Sequence, residues 1–509
     1  MFGLIFLVIY CILAAAILVV PLYKLIFPGR KRRMITIVMI MASILIIFSY
    51  AAKSFFTVFI NLIPFLFVTS ILGVFISAKR TSHIAFGKRL EKTLSIFLLV
   101  FIVGYFAFAI VGKAWIGTPL THLSEAKQTD RIDYSTDFKN LRLVPPALAG
   151  ALSKTKNTYS NYHVGEKDIY YDPGEMRLKW AAALEPDNII IGFSRNSPGF
   201  ISGYAGGTLN PSVDFFEEEF AYTEERPLLS NIYTQILLRD PTHEYGDAYL
   251  VKNGDEYYWL VPLLRNYFGF AMTYDGVATI NAKSGVAEIY SRDAQPEWLG
   301  KWRIYPENVA LWRVSVYSLY KHGLINAVFF KNDIDEIPQE TEPYLINIGD
   351  KVYWFISVEP AGGQEKRALS GYYLIGANGN NAGEAIFVDK KNKNFIGPTV
   401  ASNYVQSKVS NYDGWKAMQP LLYTYNGKET WVVPVLYIGG ETAGMKLVAV
   451  GFVDTGTEEV KIMVAEGDGA PEKPTTEDEL IAEYKKYRDD ITDRLKKMDD
   501  IVEELRKTP

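Results

Sequence analysis

The sequence predicts a membrane protein of mixed class: a bundle of four transmembrane helices, then tandem α+β modules and a C-terminal helix. Each module is expected to be a small antiparallel sheet covered by one helix. Three observations predict this: four uncharged apolar runs before residue 113, a one-sided distribution of basic residues around them, and a turn–Trp pattern recurring four times afterwards. A chain of 509 residues is also too long for one ordinary hydrophobic core.

The apolar runs are Phe2–Leu22, Met34–Ala51, Ser54–Ser77 and Thr93–Gly112. Each is close to the roughly 20 residues that cross a hydrocarbon core. The first has no basic residue before it and ends in Pro21, Tyr23 and Lys24 rather than a small-residue cleavage site, so it reads as a retained helix. Cys11 is no lipid-attachment site, because Val8, Ile9 and Tyr10 before it are not small. Ten basic residues, Lys24 to Arg33 and Lys79 to Lys92, fill the first and third connections, against only Lys53 and Lys113 elsewhere. Basic loops stay in the cytoplasm. The expected location is therefore the cytoplasmic membrane, multi-pass, with the N-terminus and everything after Lys113 extracytoplasmic. Membrane lipid is the expected partner of residues 1–113. Polar groups at membrane depth amount to Ser43, Ser49, Thr57, Asn61, Pro64, Thr69 and Ser70, which suit an anchor better than a transport path.

Charge divides the chain in the same place. Residues 1–113 hold twelve Lys or Arg and one acid, Glu91; residues 114–509 hold 41 basic and 56 acidic residues. A segment of net charge −15 repels phosphate backbones, so nucleic acid is not an expected partner. Cys11 is the single cysteine, and the outer region has no internal disulfide to rely on.

Residues 114–142 read as a membrane-proximal linker. After them, a turn followed by a Trp strand appears at Asp172-Pro173-Gly174 to Trp180, Asn253-Gly254-Asp255 to Trp259, Gly349-Asp350 to Trp354 and Asn426-Gly427 to Trp431. The Trp spacings are 79, 95 and 77, which suit domain duplication rather than a solenoid. The expected repeats are 143–222, 223–305, 306–400 and 401–465. In the last three, a second apolar stretch ends in an amide or acid at a turn: Val277–Asn281, Ala385–Asp389 and Val450–Asp454. Helices are expected at Pro146–Lys156, Arg226–Leu238, Val309–Lys321 and Ser402–Met418, and the four Trp side chains are expected to fill the gap between sheet and helix.

The stretch Ile280-Asn281-Ala282-Lys283-Ser284-Gly285-Val286, closed by Tyr290, resembles the PepSY family of small extracytoplasmic modules. The resemblance covers three units between residues 220 and 465. It departs from the family pattern at Asn281, where Asp is usual, at Lys393, where Gly is usual, and in the shortened Asp454-Thr455-Gly456. What it implies is an inhibitory or protein-binding module, not an enzyme.

Residues 466–475 have the Gly, Pro and charge content of a linker, and Thr476 with Glu479 marks a capping box that opens a helix over 476–509. Its apolar stripe, Tyr484, Tyr487, Ile491, Leu495, Met498, Val502 and Leu505, is the candidate interaction surface. The stripe suits either a coiled coil between copies or a dock onto the protein's own modules.

Catalytic signatures are missing. Gly192-Phe193-Ser194-Arg195-Asn196 lacks the closing Gly of a nucleophile elbow. His83, His122, His163, His243 and His322 stand at no metal-ligand spacing. The acidic groups Asp333, Asp335, Glu336 and Asp214, Glu217, Glu218, Glu219 lack the alternation and Gly of a calcium loop. No catalytic, cofactor-binding or metal-binding residue is therefore expected. The functional expectation is a non-enzymatic, membrane-anchored scaffold or assembly protein that contacts itself or another extracytoplasmic protein. The alternative is a regulator or inhibitor of an extracytoplasmic protease or cell-wall enzyme.

Overall fold

The computed structural model describes residues 110–465, apart from 133–135, 268–270, 339–340, 362–367, 392–394 and 440–443. Each of the four Trp-bearing segments forms one meander of four antiparallel strands. The first comprises β1 (Asp168–Asp172), β2 (Arg177–Pro186), β3 (Ser197–Tyr204) and β4 (Val213–Phe220). The second comprises β5 (Tyr249–Asn253), β6 (Glu256–Tyr267), β7 (Ala271–Asn281) and β8 (Ala287–Ser291). The third comprises β9 (Tyr344–Ile348), β10 (Lys351–Pro360), β11 (Gly371–Gly376) and β12 (Ala385–Asp389). The fourth comprises β13 (Leu421–Tyr425), β14 (Lys428–Ile438), β15 (Met445–Asp454) and β16 (Val460–Val464).

The register repeats residue by residue. Trp180, Trp259, Trp354 and Trp431 are each the fourth residue of the second strand, opposite Ile169, Leu250, Leu345 and Leu422 of the first. The hairpins before them turn through Gly254, Gly349 and Gly427, whose φ values of 63°, 65° and 76° favour glycine. In the first sheet Met176 takes that conformation, at φ 53°. Just past each third strand, the backbone N–H of Ala205, Ala282, Ala377 and Thr455 donates to Leu178, Tyr257, Val352 and Glu429, each two residues before its Trp.

All four Trp side chains are buried. Three indoles donate to the chain that leads into the module: Trp259 Nε1 to the Tyr222 carbonyl at 2.9 Å, Trp354 to Tyr305 at 2.8 Å, Trp431 to Ile396 at 2.9 Å. Trp180 Nε1 has no partner among the described residues. Trp→Phe at 259, 354 or 431 is thus expected to cost at least about 1 kcal/mol more than Trp180→Phe. The first three orphan a buried carbonyl, while the fourth removes a donor that was already unsatisfied. Urea unfolding of the four variants checks this; equal losses would refute the assigned bonds.

The sheets meet through their first strands. Tyr170 of β1 lies 5.9 Å, ring to ring, from Tyr249 of β5. Tyr344 of β9 faces Tyr423 of β13 at 6.4 Å, and its hydroxyl accepts the Leu422 N–H at 2.6 Å. β1 also touches β9 across the centre. Helices α1 (Pro146–Lys156), α2 (Ile232–Leu237), α3 (Glu307–Tyr320) and α4 (Pro398–Val409) lie between and beside the sheets. α1 packs on β3 and β4 of its own sheet and on β15 of the fourth, which joins the two ends of the series. The whole is a ring of four meanders around a shared centre, the plan of a β-propeller, with one continuous core.

Several expectations are corrected here. The described residues are mainly β, with few short helices, instead of α+β modules beside a transmembrane bundle. No helix among them is long and apolar enough to cross a membrane. The longest, α3, has 14 residues and carries Glu307 and Arg313, too short and too charged for a span. The expected four-helix bundle and multi-pass location thus find no support among the described residues; residues 1–109, on which nearly all of the four runs fall, lie outside them. The described residues also contain no coiled coil. Residues 466–509, with Tyr484, Tyr487, Ile491, Leu495, Met498, Val502 and Leu505, lie outside them.

Local differences have local causes. α4 ends at Val409, and Gly414, at φ 75°, then turns the chain into the short strand Trp415–Ala417 where helix had been expected. α2 begins only at Ile232, after Pro227, where Asn231 Oδ1 caps it by accepting the Thr234 N–H at 3.1 Å. Ala385–Asp389 is the fourth strand of its sheet, so it does not correspond to Val277–Asn281 and Val450–Asp454, which lie in third strands. Within residues 114–142, expected as a linker, Lys127–Thr129 pairs in parallel with Ile386–Val388 and extends the third sheet by a strand.

Candidate functional site

Two residues ahead of each first strand stand Glu166, Asp247, Glu342 and Gln419. Because the first strands converge, this repeated position forms a polar rim at the centre of the ring. Glu166, Asp247 and Glu342 line a cavity of about 140 Å³ together with Asp168, Glu307, Arg142, Lys167 and Arg303. Tyr249 and Trp354 form part of its wall. Five carboxyl groups thus share the hub with three cations.

At the bottom, Arg303 Nη2 donates to Asp168 Oδ1 at 3.0 Å, both side chains nearly buried. The guanidinium lies over the Tyr249 ring at 4.4 Å and near Trp354 at 5.6 Å, and the Tyr249 hydroxyl donates to the Arg303 carbonyl. Burial raises the Asp168 carboxyl to about 6, outweighing the pull of Arg303. Burial likewise lifts Glu307, the first residue of α3, to about 7 against Arg303 and Arg142. Arg142 is held in place by its own N–H, which donates to the Tyr423 hydroxyl at 3.2 Å.

A groove of about 650 Å³ adjoins the hub and shares Arg142, Pro146 and Glu342 with it. Gln419, the fourth member of the rim position, lies in this groove, and its Nε2 donates to the Glu342 carbonyl at 2.6 Å. A larger cleft, of about 960 Å³, lies between the second and third sheets. Its buried cation Arg313 is already bonded to the Thr121 and Gly383 carbonyls and the Tyr305 hydroxyl, so it serves packing.

The residues singled out in the sequence lie elsewhere. Ser194 is exposed, and its Oγ donates to the Ile190 carbonyl. His163 bridges Asp187 and Glu225, each at 3.1 Å, and His243 bridges Asp240 and Asp275 at 2.6 and 2.7 Å. His322 pairs with Asp333. Asp333 and Asp335 are engaged by Lys391 and Lys321, and Glu218 by Lys283. Among the described residues, no His, Cys, Asp and Glu group is placed to hold a metal ion. The hub residues escaped sequence reasoning, although an acid two places before the first strand of each Trp hairpin was the signal that could have found three of them.

No known protein family and no curated protein matches the chain. The PepSY likeness therefore rests on the turn motif alone. Solved structures similar to it include an alpha-L-arabinanase mutant of Cellvibrio cellulosa, at 12% identity and TM-score 0.16, covering 67% of this chain and 87% of that one. A thermostable family-43 glycoside hydrolase gives 7% identity and TM-score 0.19, covering 62% and 99%. A further glycoside hydrolase gives 8% and 0.20, covering 63% and 93%. Likenesses this weak carry no argument for fold or activity.

Proposed function

We propose that this protein is a non-enzymatic binding and assembly component whose hub receives a cationic group from a partner. One observation carries the reading: three separate modules direct carboxyl groups into one cavity that holds only three cations. Collecting more acids than neighbouring cations neutralise in a poorly solvated place opposes folding, and the raised Asp168, despite its pair with Arg303, and the raised Glu307 support the reading. A guanidinium or ammonium group would relieve that cost and bind the more tightly for it.

Agmatine, a small guanidinium compound, is a suitable probe for calorimetric titration of the full-length protein. Binding is expected at pH 8 and is expected to weaken at least about 10-fold at pH 5.5, where Asp168 and Glu307 hold protons. Glu342→Gln should weaken it at pH 8. Absence of binding at pH 8, or equal binding at both pH values, would refute the proposal.

A further inference from the structure

The groove beside the hub has a composition of its own. Its floor and walls include Pro145, Pro146, Pro398, Pro420 and Pro434, with Met418 half-buried between them. Five prolines, two ahead of the first sheet and three in the fourth module, fix the backbone φ at five points of the lining, so the groove is preformed. None of its lining residues is aromatic, and sugars are usually gripped by aromatic platforms. The adjoining hub mouth carries Glu166, Asp247 and Glu342, which would repel the phosphate of a lipid headgroup or a nucleotide.

The edge strand Trp415–Ala417 borders the groove, yet it offers no free ladder. Gln406 Oε1 accepts the Ala417 N–H at 2.8 Å, and Gln406 Nε2 donates to the Trp415 carbonyl at 3.2 Å. A ligand here is read through side chains, not by adding a strand.

We propose that groove and hub are two subsites of one site, and that the occupant is an extended segment of another protein. Its arginine or lysine enters the hub, and the apolar residues beside that cation lie along the prolines and Met418. The charge complementarity belongs to the hub and rests on the function proposed above; the groove adds the polypeptide. A groove of about 650 Å³ is of the size that encloses a short stretch of chain, whereas the hub's 140 Å³ admits one side-chain head.

The test uses the full-length protein and three probes measured by competition against one fluorescein-labelled peptide: acetyl-Leu-Val-Leu-Arg-amide, the same peptide with citrulline for arginine, and agmatine. The arginine peptide is expected to bind at least about 10-fold more tightly than agmatine, and citrulline is expected to lose most of that affinity. Met418→Asn, which is polar but adds no charge beside the hub, should weaken the peptide at least about 5-fold and leave agmatine unchanged, which also shows that the variant is folded. If peptide and agmatine bind equally, or Met418→Asn has no effect on the peptide, the groove subsite is refuted while the cationic hub stands. If neither probe binds, the hub reading itself falls and takes the groove with it. Equal binding of the citrulline peptide would show that the groove takes apolar chain without a cation, and would also overturn the two-subsite proposal.

Discussion

Arg303→Met is expected to lower the free energy of unfolding by roughly 3–5 kcal/mol, the range for breaking a buried ion pair on one side. Methionine keeps the apolar stem of the side chain against Tyr249 and Trp354. What it removes is the cation 3.0 Å from Asp168. Burial already lifts that carboxyl to about 6 with the guanidinium present. Without it, Asp168 must take up a proton or leave its place. Asp168→Asn in the same chain is expected to recover much of the loss, because the stranded charge is then gone, and a double-mutant cycle measures the coupling. A loss below about 1 kcal/mol would mean that the pair is effectively solvated, as exposed ion pairs are, and the hub would lose its claim to be a buried electrostatic centre.

How far the sequence foretells this arrangement differs from feature to feature. The Trp strands are legible because a large buried residue behind a Gly or Asn turn is a local signal, and the structure places all four in one register. Pro146–Lys156 is helical over the span expected, since Pro146 starts it and Asn157 ends it within a few bonds. Gly371–Gly376 shows no alternation because every one of its residues is buried, so the sequence singles out only the apolar stretch after it, Ala385–Asp389. The apolar runs near the N-terminus obey a rule about charge and length, and the described residues supply no helix that meets it. The hub is illegible for another reason. Glu166, Asp247, Glu342 and Asp168 are unremarkable one at a time, on or beside loops, and they become one site only because four first strands share a centre. The position recurs ahead of all four first strands, but Gln419 breaks the acidic pattern, so a search for a repeated carboxylate sees three members and no ring.

Acidification from pH 8 to pH 5 is expected to stabilise the protein, the reverse of ordinary acid sensitivity. Burial raises Glu185 and Glu307 from the usual 4.5 to about 7 and Asp168 from 3.8 to about 6. Burial also holds Glu224 well above its ordinary value. Between about pH 4 and 7 the folded protein therefore keeps protons that the unfolded chain has released, and stability is present at the acid end and lost as pH rises through the folded values. One carboxyl carried from 4.5 to about 7 accounts for roughly 3 kcal/mol by pH 8. His243 works in the same direction. Burial pulls its proton affinity down, but the bonds to Asp240 and Asp275 prevail and raise it, so its contribution is likewise present at low pH and lost above neutrality. The opposing groups act lower: Asp240, despite burial, is held at about 2 by His243 and Thr242, and Asp333 at about 2 by Lys391 and His322. Their contribution is present above about pH 4 and disappears only as pH falls through 2. Maximum stability should then lie near pH 5, with a melting temperature about 5 °C or more above that at pH 8. Glu307→Gln, which carries no charge, should raise the melting temperature at pH 8 and change little at pH 5. A melting temperature that falls steadily from pH 8 to pH 5 would show that these carboxyls are ionised and well solvated in the folded protein, and the electrostatic account of the hub would fail with them.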